Sequence, residues 1–186
     1  MVPITALWLP VLVAAVLVFV VSSVIHMMLT YHRTDFGQMP NEANVQSALR
    51  SFGVPPGDYV FPFAGSPEAM KSPAWKEKVK AGPVGFITVF PSGDTGMGKS
   101  LTLWFLYSLI VGVFAAYVTG RALGPGALYL EVFRFAGTVA FAGYGLALMQ
   151  NSIWYKRKWA TTLKSMFDAL IYSLVTAGAF GWLWPS

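Results

Sequence analysis

Four stretches of this chain run apolar and uncharged for about twenty residues each: 4–25, 101–120, 135–155 and 169–186. A helix rises 1.5 Å per residue, so about 20 residues cross a hydrocarbon core. Extended by up to about a turn into their flanks, the runs predict transmembrane helices over 6–29, 100–122, 132–155 and 161–184. Pro10 falls near the start of the first, where it produces a kink or a wide first turn. Gly124-Pro125-Gly126 makes a tight turn between the second and third, and only a few residues join the third to the fourth. The expected fold is an all-α membrane protein: a four-helix bundle with a small α/β insertion between helices 1 and 2. Its parts are helix 1 (1–30), the insertion (31–99) and helices 2–4 (100–186).

The insertion has the grammar of a small soluble unit. Asn41 is placed to cap a helix whose apolar face is Val45, Ala48, Leu49 and Phe52, with Gly53 ending it. Tyr59-Val60-Phe61 reads as a short strand. Ser72-Pro73 opens a second helix that stops at Gly82, and Gly85–Phe90 is a second strand. Two short helices and two short strands enclose little apolar volume, so this unit is expected to lean on the membrane surface or a partner.

Within the spans, small residues recur every four positions. Helix 2 carries Ser108, Gly112, Ala116 and Gly120; helix 4 carries Ser165, Ala169, Ser173, Ala177 and Gly181. Such stripes let two backbones approach closely where apolar burial supplies no drive, so both are expected to be contact faces. They serve either the packing of one bundle or an interface with a second copy or another membrane protein.

Composition sharpens this picture in two ways. Charged residues make up 11 % of the chain, about half the usual soluble share. Their placement is uneven: Arg33, Arg50, Lys71, Lys76, Lys78, Lys80 and Lys99 lie in loop 1, and Lys156, Arg157, Lys158 and Lys164 in or beside loop 3. Only Arg121 and Arg134 flank loop 2. Basic loops stay cytoplasmic, which puts loops 1 and 3 inside and both termini outside a bacterial-type inner membrane. The start Met-Val-Pro-Ile-Thr has no basic region, so the first run is expected to be a permanent span rather than a cleaved signal. The absence of cysteine excludes disulfides, thiolate metal sites and cysteine nucleophiles.

The most conspicuous motif is Gly93-Asp-Thr-Gly-Met-Gly98-Lys99-Ser100, a full match to the phosphate-loop pattern. That loop works at the edge of a parallel sheet packed on its helix, whereas the helix that follows here is uncharged for twenty residues. No nucleotide is expected; the turn instead brings Lys99 to anionic headgroups. His26 near the end of helix 1 and Asp168 two turns into helix 4 are the candidates at membrane depth, since burying an ionisable group is costly unless it is paired. Lys164, one turn before Asp168, is placed to pair with it. A hydrogen bond between His26 and Asp168 across helices 1 and 4 is the other pairing open to them. His26 and His32, the only histidines, lie about 240° apart on a straight helix and cannot share a metal or haem unless the helix breaks between them.

Glu131 and Arg134 form an i,i+3 pair, and the acids of the insertion, Asp35, Glu42, Asp58, Glu68, Glu77 and Asp94, read as solvated surface. No catalytic constellation, metal-ligand spacing or nucleic-acid signature is present, so no catalytic residue, metal, cofactor or nucleic acid is expected. The partners implied are the bilayer and a second copy or another membrane protein. The expectation is a non-enzymatic accessory subunit or scaffold, and the alternative is a small oligomeric transporter or channel using His26 and Asp168 for protons or ions.

Overall fold

Every apolar run folds as helix, because a backbone with no polar neighbours satisfies its own N–H and C=O groups most simply within one segment. The structure, a computed structural model, describes residues 1–93 and 96–186. In chain order its elements are α1 (Trp8–Met28), α2 (Glu42–Ser51), β1 (Gly57–Phe61), α3 (Pro67–Lys71), α4 (Pro73–Ala81), β2 (Gly85–Val89), α5 (Gly98–Ala122), α6 (Tyr129–Tyr144), α7 (Met149–Ile153) and α8 (Trp159–Trp182). Four helical stretches are long and apolar enough to cross a membrane: Ile4–Met28, Gly98–Ala122, Tyr129–Ile153 and Trp159–Trp182. The chain divides into two compact units, one comprising Met1–Phe36 with Gly96–Ser186 and the other Gly37–Thr95.

The larger unit is a square of four helices in which α1 packs on α5 and α8, and α6 packs on the same two. Both small-residue stripes are used inside this square. Gly112 lies against Val11, and a side chain at Gly120 would collide with the Val2 carbonyl, so the α5 stripe seats α1 and the segment before it. Ala177 meets Gly137, Ala169 meets Gly145, and Gly181 sits under the Tyr129 ring, so the α8 stripe seats α6. Val2 N–H donates to the Gly120 carbonyl in the last turn of α5, and Gly126 N–H in the α5–α6 turn donates to the Pro185 carbonyl.

The third span differs from its expected form. It breaks at Gly145 and continues through a 3₁₀ turn into α7. The Tyr107 hydroxyl donates to the Gly143 carbonyl at 2.6 Å. A side chain inserted into the helical ladder is a recognised cause of such a break. At the other end of α6, Glu131 accepts the Leu128 N–H at 3.3 Å. Among the described residues it forms no ion pair with Arg134, contrary to the i,i+3 expectation: capping the helix start satisfies an N–H that would otherwise lack a partner.

In the smaller unit the two strands pair antiparallel, Gly57 opposite Val89 and Phe61 opposite Gly85. Ser72 caps α4 by accepting from Trp75 N–H, and Gly82 ends it at φ +60°, where a side chain would be strained. Ser66 caps α3 in the same way through Ala69 N–H, a short helix missing from the sequence reading. Asn41 starts α2 through its backbone carbonyl with φ 51°, and its side chain makes no capping bond. The phosphate-loop match includes Asp94 and Thr95, which lie outside the described residues; the strand before it belongs to an antiparallel pair rather than a parallel sheet.

Candidate functional site

Where α1 stops decides what can meet at its end. The helix closes at Met28, Leu29 is extended (φ −87°, ψ 144°), and a 3₁₀ turn runs from Tyr31 to Thr34. A continuous helix would hold residues 26 and 32 on different faces, but this break folds the chain back. The His26 and His32 rings then lie with their centroids 4.7 Å apart. The condition for the two histidines to share a ligand, a break between them, is met.

Asp168 projects into the same place from α8 and is the only charged side chain in the buried core among the described residues. Its Oδ2 faces His32 Nε2 at 2.8 Å, and its Oδ1 accepts from the Tyr31 hydroxyl. The other ring nitrogen of His32, Nδ1, faces Asp35 Oδ2 at 2.6 Å. An imidazole between two carboxylates satisfies both when each nitrogen donates, as in the imidazolium. Lys164 completes the set with three bonds: to Asp35 Oδ1 at 3.0 Å, Thr34 Oγ1 at 2.8 Å and the Tyr31 carbonyl at 2.5 Å. Two carboxylates thus face one imidazole and one ammonium.

Three sequence expectations are corrected here. Lys164 does not pair with Asp168, although it lies one turn away on the same helix. It reaches along the chain to Asp35 and the Tyr31–Thr34 turn, where one ammonium can donate three bonds. Asp168 is bonded not to His26 but to Tyr31 and His32; His26 Nε2 lies 3.5 Å from the Tyr172 hydroxyl. Asp35 is not solvated surface, since its side chain is only 7 % exposed. Burial pushes its carboxyl up, but the hydrogen bonds and charges of His32 and Lys164 outweigh that and hold it below the usual carboxylate range. The Tyr31 phenol is pushed well above its ordinary value, first by burial and then by the Asp168 carboxylate, so it stays protonated and donating.

From this cluster an aromatic column runs into the bundle. Tyr172 stands edge-on to Trp104 and Tyr144, and Tyr144 to Tyr107. Trp104 Nε1 donates to Ser22 Oγ at 2.9 Å. Beyond the column, Leu7, Val11, Ala115, Ala116, Val132 and Phe180 form one buried apolar cluster, and the Thr119 hydroxyl is buried without a partner. Two cavities lie elsewhere, one of about 390 Å³ beside Met1 and Tyr117 and one of about 310 Å³ beside Phe63 and Trp75. Neither is lined by the histidines or by Asp168.

Comparison with known proteins adds no assignment: no family model, curated protein or solved structure matches the chain.

Proposed function

We propose that this chain is a four-pass, non-enzymatic membrane subunit whose bundle anchors the Gly37–Thr95 unit as an accessory or scaffold element. In this reading the bundle sits in a bacterial-type inner membrane with both termini outside and loops 1 and 3 cytoplasmic, as the basic residues favour. The observation that carries it is the smaller unit's surface. Phe52, Phe63 and Phe90 are each about three-quarters exposed, large apolar side chains open to a partner or to lipid. The bundle supports an anchoring role because its small-residue stripes are spent on packing within it.

The partner is a membrane protein or a second copy, and the lipid bilayer covers the rest. Photo-crosslinking residues placed at Phe63 and Phe90 should give a discrete adduct in intact cells, with exposed positions on α2 giving none. The purified chain in liposomes should pass neither protons nor alkali cations above background. The second reading, a small oligomeric transporter or channel using His26 and Asp168, draws on the ionisable cluster and the tyrosines that continue it inward. Proton or cation flux lost in Asp168→Asn would establish that reading and overturn the first. Cysteine labelling at Pro91 and Ser186 tests orientation, and labelling of Pro91 from outside intact cells would reverse it.

A further inference from the structure

We propose that His26, His32 and Asp168 form a binding site for one divalent first-row transition-metal ion. The chain has two histidines in 186 residues, and both converge on the buried carboxylate of Asp168, which comes from another helix. One ligand atom from each residue lies within 4.8 Å of the other two. Tetrahedral ligands about 2.1 Å from a zinc-like ion stand roughly 3.4 Å apart. The His32 and Asp168 atoms, 2.8 Å apart, therefore separate slightly to admit an ion between them. His26 supplies the remaining travel: it is exposed and in the last turn of α1, so its ring can turn inward without disturbing the core.

The surroundings distinguish this cluster from a chance meeting of polar groups. Metal-bound histidines characteristically donate their second nitrogen to a carboxylate or carbonyl, which fixes the ring and raises its basicity. Asp35 does this for His32, held at Nδ1 so that Nε2 points to the site. Tyr31 occupies Asp168 Oδ1 and leaves Oδ2 for the ion. The Lys164 charge is matched by Asp35, which frees Asp168 from any ammonium partner. Two imidazoles and one carboxylate favour zinc, iron(II), cobalt, nickel or copper over calcium and magnesium, which prefer oxygen alone. Three protein ligands leave a position open for water or an incoming group. On binding, the ion takes the place of the Nε2 proton of His32, which leaves to solvent. None of this depends on whether the bundle also serves as an anchor.

The test is metal titration of the purified, tag-free chain in detergent, using Co²⁺ for its visible spectrum and Cu²⁺ for electron paramagnetic resonance. One Co²⁺ per chain with tetrahedral-type absorption bands is expected, and Zn²⁺ should displace it. The Cu²⁺ signal should show coupling to two nitrogens, falling to one in His26→Ala. Affinity should fall at least tenfold in His26→Ala and Asp168→Asn, and tenfold to a hundredfold in Asp35→Asn. Glu131→Gln, remote from the cluster, is the control and should bind as wild type. Because His26 is exposed, its variant keeps the fold and decides the matter even if Asp168→Asn does not fold. Cobalt bands unchanged by His26→Ala, or binding no tighter in wild type than in that variant, would overturn the site.

Discussion

The two halves of the four-helix bundle are held together by different physics. In the half containing the chain ends, contact is made by small side chains and backbone: Gly120 against the Val2 carbonyl, Ala177 against Gly137, with Leu7, Val132 and Phe180 filling between them. In the other half, contact is made by polar atoms converging from distant segments: Tyr31, His32 and Asp35 just past α1, with Lys164 and Asp168 on α8. The first kind of packing is non-directional and tolerates one lost atom at modest cost. The second is a set of interdependent bonds in which each member leaves another unsatisfied when removed. Substitutions in the two halves should therefore differ in size and in how they depend on conditions.

The largest effect should come from Asp168→Ala. It leaves the His32 ring nitrogen and the Tyr31 hydroxyl without their shared acceptor, and each buried hydrogen-bonding group left unsatisfied costs about 1–3 kcal/mol. Asp58→Ala, which loses only an exposed bond from Thr88, should cost under about 0.5 kcal/mol. Unfolding in mixed detergent and denaturant measures both. Equal costs would mean that the polar half is not a coupled network.

Acid should separate the halves next. The folded pKa of Asp35 lies below its unfolded value, so its contribution is complete above the unfolded pKa of about 4 and is lost as pH falls through the folded pKa. Melting temperature in detergent should drop below about pH 4 in wild type and drop less steeply in Asp35→Asn. Identical slopes would show that Asp35 is not held by His32 and Lys164.

In the apolar half, Gly181→Leu and Gly112→Leu test close approach. A Cβ at Gly181 would fall 2.6 Å from the Tyr129 ring, and one at Gly112 would fall 3.2 Å from Val11. Overpacking of this kind costs about 1–3 kcal/mol, without the pH dependence of the polar half. An unchanged melting temperature in both would place these faces against lipid instead.

How much of each half could be read from the sequence follows from the same contrast. The stripes on α5 and α8 are local periodicities, so Gly112, Gly120, Ala169 and Ala177 were legible as contact positions; which helix each meets was not. The cluster was legible only as His26, Asp168 and Lys164, each judged within its own helix. The error lay in extending α1 as a straight rod, which sent His32 away from His26 and left Asp35 among solvated acids. Leu29 and Thr30 carry no helix-stopping residue type; the turn that follows is held by Lys164 from 130 residues away. A contact at that sequence distance leaves no periodic trace. The break at Gly145 was missed for a related reason. Glycine is common in apolar helices, and the hydroxyl bonded to the Gly143 carbonyl belongs to Tyr107 on α5.

That break yields the smallest prediction, and it bears on where the two halves meet. Tyr107 is about a third exposed and bonds the Gly143 carbonyl, two residues before Gly145. Tyr107→Phe keeps the ring against Tyr144 and Trp104 but removes the donor. A single hydrogen bond of this kind contributes about 0.5–1.5 kcal/mol, so the loss should be near 1 kcal/mol and independent of pH. The structural outcome is more informative than the energy. With the donor gone, the Gly143 carbonyl becomes free to accept the Ala147 N–H, and α6 can continue toward α7 as regular helix. Gly145 faces Ala169 closely enough that a Cβ there would fall 3.0 Å from the Ala169 methyl, so only glycine fits at the break. Amide hydrogen exchange reads this directly, through slower exchange at Ala147 in Tyr107→Phe. Unchanged exchange there would place the cause of the break in the Gly145–Ala169 contact itself.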